Sequence, residues 1–190
     1  NILIKAPDIG LEAKLDHLPA DHPLAYAVQV VQSEIGIRQI HACTIQINST
    51  IPIAAGMGSG AAVSVAVMRA LSAFLGRPLT DERVSALAYE VEKPYHGTPS
   101  GIDNTVVAFK TPVFYQREHP IEKLSVKSPI TLVIGDTGVS SSTAVVVGDV
   151  RRAWQADTEG YEAIFNQVAN LVQSARRIIA SSDPVGLGTL

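Results

Sequence analysis

The chain has 190 residues, 46% hydrophobic and 17% charged, with a formal net charge of −3. That balance supports a buried core and excludes an intrinsically disordered chain. It shows no basic run interleaved with aromatics, which argues against nucleic acid as a partner, and no apolar stretch reaches the roughly 18 residues that a membrane span needs.

The single cysteine, Cys43, allows no intrachain disulfide and reads as a small buried hydrophobe, which fits a cytoplasmic protein. No signal peptide is visible. The sequence starts at Asn1 and stops in Gly186-Leu187-Gly188-Thr189-Leu190. Neither end reads as a natural terminus, so a fragment is expected.

Residues 1–6 alternate weakly and are expected to form a strand, closed by a turn at Pro7-Asp8-Ile9-Gly10. Residues 11–19 fit no single pattern. Asp21 or His22 opens a helix with Pro23 in its first turn. Leu24, Ala27, Val28, Val31 and Ile35 recur there at helical spacing, and Gly36 closes it. Residues 40–48 alternate and carry Thr44, Ile45 and Ile47, a strand pattern. From 59 to 75 nearly every residue is small or apolar and Arg69 is the sole charge, so a buried helix is expected. Thr80 is a suitable cap for the next helix, and Asp81 and Glu82 suit its positive end. Val84, Leu87, Ala88 and Val91 make its inward stripe, and Pro94 is expected to end it just after Glu92.

Residues 105–109 and 113–116 read as two strands around a turn at Lys110-Thr111-Pro112. The polar stretch 117–128, with Pro120, marks a domain boundary, giving domains 1–122 and 123–190. Residues 130–134 read as a buried strand and 135–142 as a loop rich in glycine and serine. Residues 143–154 read as a helix, and 161–180 as a second, with Ile164, Val168, Leu171, Val172 and Ala175 on one face. No internal repeat is evident.

Two stretches carry the chemistry. The first is Ile51-Pro52-Ile53-Ala54-Ala55-Gly56-Met57-Gly58-Ser59-Gly60-Ala61-Ala62, between a strand and a helix. A helix start exposes unpaired backbone N–H groups and the positive end of the helix dipole. Glycines let the backbone approach a ligand. Gly56, Gly58 and Gly60 with small neighbours therefore make a candidate anion site with room for a triphosphate. It is not a Walker P-loop, since no Gly-Lys-Ser/Thr follows, and it lacks the Rossmann G-x-G-x-x-G spacing. The alternative is a tight strand-to-helix turn whose glycines serve packing.

The second stretch is His96-Gly97-Thr98-Pro99-Ser100-Gly101-Ile102-Asp103-Asn104. Glu92 and Asp103 flank a loop that can fold back so that both carboxylates face one pocket. One then holds Mg²⁺, which favours oxygen ligands, and the other orients or deprotonates a substrate hydroxyl. Taken singly, Glu92 also reads as a solvated helix-end carboxylate, Asp103 as a turn or helix cap, and His96 as a structural hydrogen-bonder. His17, His22, His41 and His119 lie far apart without metal-ligand spacing and read as surface or structural. Ser59 and Ser64 lack a G-x-S-x-G elbow, so a hydrolase is a poor alternative.

Together the two stretches resemble the GHMP kinases, and within them the mevalonate-kinase branch. Pro52 to Ala62 is similar to the family's ATP motif P-x-x-x-G-L-G-S-S-A, with Met57 in the leucine position. The loop from His96 to Asn104 resembles H-G-x-P-S-G-[VI]-D-N. The likeness extends weakly into residues 136–150, where Thr143 falls near the family's substrate threonine.

The resemblance implies an α+β GHMP-kinase-like fold in two domains. The first is a ribosomal-S5-like half with a left-handed crossover, and the second is the start of a ferredoxin-like half. It implies ATP and Mg²⁺ as cofactors. The turn comprising Pro52, Ile53, Ala54, Ala55, Gly56, Met57, Gly58, Ser59, Gly60, Ala61 and Ala62 would wrap the phosphates. Ser59 and Glu92 would hold the metal. Asp103 would act on the C5 hydroxyl of mevalonate, and His96, Gly97, Ser100 and Thr143 would lie on the substrate between the domains. The partner is then a small molecule, with neither nucleic acid nor membrane, and a homodimer is compatible with it.

Three departures accompany the likeness. Gly60 stands where the family has a second serine. Lys5, in Ile-Lys-Ala-Pro-Asp, does not match the family's first, lysine-bearing motif. The glycine-rich third motif is absent. The sequence therefore reads as the middle of such a kinase. The rival expectations are another GHMP kinase, acting on phosphomevalonate, homoserine or a sugar, and a non-catalytic nucleotide-binding relative.

Overall fold

The computed structural model describes residues 1–52, 56–96, 99–127, 129–135 and 143–190, apart from the side chains of residues 95, 96, 143 and 144. It divides into two compact units, Asn1–Lys110 and Thr111–Leu190. The division falls earlier in the chain than the polar stretch 117–128.

In the first unit, β1 (Ile2–Ala6) turns its alternate residues Ile2, Ile4 and Ala6 inward, and all three are buried. A short 3-10 turn over Pro7–Ile9 reverses the chain at Gly10, whose φ of 65° suits glycine. β2 (Leu11–Lys14) then pairs antiparallel with β1, Leu3 opposite Lys14 and Ala6 opposite Leu11. β3 (Cys43–Gln46) lies parallel on the other side of β1, with Ile2 opposite Cys43 and Lys5 opposite Gln46. The sheet order is β2-β1-β3. Cys43 is half-buried rather than buried, because β3 is an edge strand among the described residues.

Helix α1 (Pro23–Ile35) connects the two parallel strands and buries Leu24, Ala27, Val28, Val31 and Ile35. His22 is its N-cap, its Nδ1 accepting from the Leu24 amide at 3.3 Å, so this histidine is structural. Gly36 closes the helix in the left-handed region at φ 72°. Helix α2 (Ser59–Phe74) contributes Ala61, Val65, Val67, Met68 and Leu71 to the core, where Met68 is fully buried. It is one-sided rather than buried all round: Ala66, Ala70, Ala73 and Phe74 face outward.

Helix α3 (Asp81–His96) starts as expected, with the Thr80 hydroxyl accepting from the Arg83 amide at 3.3 Å. Its end differs from the sequence reading. Pro94 lies inside the helix, which continues to His96. A proline so close to the end removes only one intrahelical bond, to the Glu90 carbonyl, while the residues after it keep their own amides.

A larger correction concerns residues 105–109, read as a strand. They belong to helix α4 (Ile102–Phe109), begun by Gly101 at φ 88°. The β-branched run Thr105-Val106-Val107 suggested a strand, but the buried positions Asn104, Thr105, Ala108 and Phe109 repeat at helical spacing. The Thr105 hydroxyl donates to the Gly101 carbonyl four residues back, at 2.6 Å, which suits threonine in a helix.

Arg69, the only charge on α2, ties three helices together. Its guanidinium donates to the Asp81 carboxylate at the start of α3 and to the Ala108 carbonyl at the end of α4. Arg69→Met, which keeps the apolar stem, is expected to cost about 2 kcal/mol, the usual worth of charged hydrogen bonds. Urea unfolding checks it.

Arg83 on α3 pairs with Glu34 on α1, Nε lying 2.8 Å from Oε1. The hydrogen bond from Arg83 holds the Glu34 carboxyl below its ordinary value. A carboxylate lowered on folding contributes stability above its unfolded pKa and loses it as pH falls through the folded one. The Arg83 side chain is 51% exposed and that of Glu34 25%, so solvent screens the pair and the contribution is small. Glu34→Gln is expected to lower stability slightly at pH 7, a difference from the parent that vanishes as pH falls to about 3. Urea midpoints between those values test it.

The second unit pairs β4 (Val113–Phe114) antiparallel with β5 (Glu122–Lys123). Three helices follow: α5 (Thr143–Ala156), α6 (Thr158–Ser181) and α7 (Pro184–Gly188). The Asp157 carboxylate caps α6 by accepting from the Gly160 amide at 3.0 Å. Arg176 of α6 donates to Glu122 of β5 and lies 4.5 Å from the Phe114 ring. The expected buried strand at 130–134 is not formed: Leu132, Val133 and Ile134 are 75%, 96% and 71% exposed. A strand needs a ladder partner, and the β4–β5 pair does not reach these residues. The expected face of α6 is present in pattern, yet Ile164, Val168, Leu171 and Val172 are all exposed.

Candidate active site

The site begins where β3 feeds α2. Gly56 and Gly58 both take positive φ, 70° and 67°. Gly58 is the N-cap of α2 and carries no side chain to accept from the first turn. The first intrahelical bond runs from the Ala62 amide to the Gly58 carbonyl at 2.9 Å. The amides of Ser59, Gly60 and Ala61 therefore precede the helix ladder, at the positive end of the dipole.

Two carboxylates from two other helices approach this turn. A Cβ placed on Gly58 would lie 3.6 Å from Asp103 Cγ, and one on Gly60 would lie 3.9 Å from Glu92 Oε1. Asp103 is exposed in the first turn of α4, and Glu92 is half-buried on α3. The missing side chains thus leave both carboxylates facing an open helix start.

Alongside lies an apolar cavity of about 360 Å³, lined by Ala6, Ile9, Pro23, Leu24, Ile47, Ile51 and Val63 and reaching Ser59 and Gly60. Its rim is braced by Asp8, whose carboxylate accepts from the Ser49 amide at 2.8 Å, and by Ser49, whose hydroxyl accepts from the Ile51 amide at 3.1 Å.

The chemistry of this donor set fits a metal-bound polyphosphate. Among the described residues no group of three or more His, Cys, Asp or Glu side chains forms a protein-only metal site. Mg²⁺ does not need one, because it takes one or two carboxylates and fills its shell with waters and phosphate oxygens. The Glu92 carboxylate and the Ser59 hydroxyl are the residues here that could hold it.

Of the expected residues, Gly58, Ser59, Gly60, Glu92 and Asp103 are brought together. Pro52, Gly56 and Met57 are exposed on the approach, while Ala61 is buried and Ala62 half-buried within α2. Ser100 is exposed, and its hydroxyl accepts from the Ile102 amide at 3.2 Å, supporting the start of α4. Ile53, Ala54, Ala55 and Gly97 lie outside the described residues, as do the side chains of His96, which ends α3, and Thr143, which starts α5.

The model of the GHMP kinases N terminal domain matches residues 23–111, a span that contains the glycine turn, Glu92 and Asp103. The chain belongs to the GHMP kinases.

Among curated relatives, this GHMP kinase chain is 40% identical over 136 residues to the mevalonate kinase of Thermococcus sibiricus, covering 72% of the chain and 40% of the relative. It is 35% identical over 196 residues to that of Pyrococcus abyssi, covering 95% of the chain and 57% of the relative. The chain thus spans about half the length of the curated relatives it matches. A solved L. major mevalonate kinase in complex with R-mevalonate superposes with a TM-score of 0.69 at 26% identity, covering all of this chain and 57% of that one. The mevalonate kinase of Methanococcus jannaschii superposes with a TM-score of 0.70 at 20% identity, covering 90% and 57%, a likeness of fold. The expected α+β class and family fold are those observed.

Sequence reasoning missed Asp8 and Ser49 of this GHMP kinase as parts of the site. The signal available was slight: a Pro-Asp-Ile-Gly turn and a Ser-Thr pair, 41 positions apart for the Asp8–Ser49 bond.

Proposed function

We propose that this GHMP kinase belongs to an enzyme that transfers the γ-phosphoryl group of ATP to the C5 hydroxyl of mevalonate, giving 5-phosphomevalonate. The observation that carries the reading is the convergence of Asp103 and Glu92 on the side-chain-free start of α2. The relatives named mevalonate kinase, at 32–40% identity, and the structural neighbour holding R-mevalonate support the choice of substrate.

In this reading the amides at the start of α2 bind the phosphates, and the neighbouring apolar cavity takes the base. Asp103 accepts the proton of the attacking hydroxyl or holds that hydroxyl in line. Glu92 and Ser59 hold Mg²⁺, which when bound neutralises phosphate charge. The transition state of phosphoryl transfer is loose, so positioning and charge neutralisation do most of the work.

One observation favours a second reading, a nucleotide-binding relative without turnover: Gly60 brings no hydroxyl to the metal side of the turn. A Cβ there meets Glu92 Oε1 only at 3.9 Å, an ordinary contact, so a serine fits. Gly60→Ser is expected to raise metal affinity several-fold, read by electron paramagnetic resonance titration with Mn²⁺.

Proton-coupled ³¹P NMR of the product tests the proposed reaction. Phosphate on C5 couples to two methylene protons and is expected as a triplet. A singlet, from phosphate on the tertiary C3 hydroxyl, or no new ester despite ATP binding, contradicts it.

A further inference from the structure

Beneath the exposed Asp103 lies a buried polar group that the proposed chemistry does not use. Ser85 on α3 and Asn104 and Thr105 on α4 are only 6%, 3% and 3% exposed. Asn104 Nδ2 donates to both the carbonyl and the hydroxyl of Ser85, each at 3.0 Å. Ser85 Oγ lies 3.3 Å from Thr105 Oγ1, and Thr105 Oγ1 donates to the Gly101 carbonyl at 2.6 Å.

The hydrogens are therefore directed. Thr105 spends its proton on Gly101, so Ser85 donates to Thr105 and accepts from Asn104. The chain runs one way, from the Asn104 amide through two hydroxyls to the residue that starts α4. The amide orientation is fixed as well, since the reversed amide would set Asn104 Oδ1 against the Ser85 carbonyl.

Stability alone does not explain this group. Buried polar atoms cost free energy unless paired, and Asn104 Oδ1 has no partner among the described residues. Apolar side chains of the same size would fill the contact at lower cost. What polar groups add is a single permitted seating, where apolar helix faces can slide. The seating matters here. Ser85 and Glu92 are seven residues apart on α3, two turns and about 10 Å along one face. Asn104 directly follows Asp103.

We propose that Ser85, Asn104 and Thr105 are positioning residues, a buried clamp that fixes where α4 seats along α3 and so sets the separation of Asp103 from Glu92. The proposal rests on the catalytic reading of those two carboxylates.

The test uses Thr105→Val and Ser85→Ala, both nearly neutral in volume, with Asn104→Leu as the stronger change and Thr105→Ser as the conservative control. In each of the first three, kcat is expected to fall roughly 10- to 100-fold, the usual effect of an ångström-scale misplacement. The dissociation constant for ATP should stay unchanged, and Thr105→Ser should retain the parental kcat. Crystal structures of the parent and Thr105→Val form the second arm, and displacement of α4 along α3 is expected there. Unchanged kcat, or ATP affinity, kcat and melting temperature falling together, overturns the clamp. So does an α4 that superposes in both crystals. If the parent itself turns over no substrate, the catalytic reading fails, and the crystals alone decide the clamp.

Discussion

Asp103→Asn is expected to lower ADP release in the presence of mevalonate by about 10²- to 10⁴-fold, the range for loss of a positioned general base. Asparagine keeps the shape that packs against Gly58, 3.6 Å from a Cβ there, but removes the charge and the proton acceptor. The change should be confined to the chemical step. Asp103 is exposed and makes no contribution to the core, and the group below it begins at Asn104. Its carboxylate does favour the α4 N-terminus, so about 0.3–1 kcal/mol of stability should go with it. ATP affinity by calorimetry should barely move. A loss of ATP binding as large as the loss of turnover would place Asp103 in the nucleotide site rather than on the substrate hydroxyl.

Gly58→Val is expected to damage both stability and ATP binding. The φ of 67° at Gly58 costs an L-residue about 1–2 kcal/mol, and more when it is β-branched. Its Cβ would already touch Asp103 Cγ, so the two methyl branches must displace that carboxylate or enter the phosphate space. Overpacking adds about 1–3 kcal/mol. Gly58→Ala separates the two effects: its Cβ makes only ordinary contact, so it carries the backbone strain without the crowding. Urea unfolding is expected to rank the parent above alanine and alanine above valine. ATP affinity is expected to collapse only in valine. Equal loss of affinity in both variants would mean that backbone geometry, not open space, makes the cradle.

Much of the fold is legible in the sequence. Helix α1, the start of α3 and the first strand follow from periodicity and caps, with Gly36 as the stop of α1, while α2 follows from its run of small and apolar residues, which hid that only one face of it is buried. The two site loops were legible because glycine, proline and acidic residues at those spacings restrict the chain. What was not legible depended on contacts between distant residues. Thr105-Val106-Val107 prefers a strand locally, and only burial against α3 decides for a helix. Pro94 looked like a stop because its tolerance depends on lying in a helix's last turns. The clamp and the Asp8–Ser49 brace pair residues 19 to 41 positions apart, and no local pattern announces them.

We propose that the start of α2, Glu92 and Asp103 together form a mevalonate-phosphorylating site. Its most direct test is ADP release by the purified protein with Mg-ATP, offered mevalonate, phosphomevalonate, homoserine and galactose separately, beside the Asp103→Asn variant. Turnover is expected with mevalonate alone, and it is expected to be lost in the variant. Turnover with another of these acceptors, or none with any despite measurable ATP binding, would contradict it.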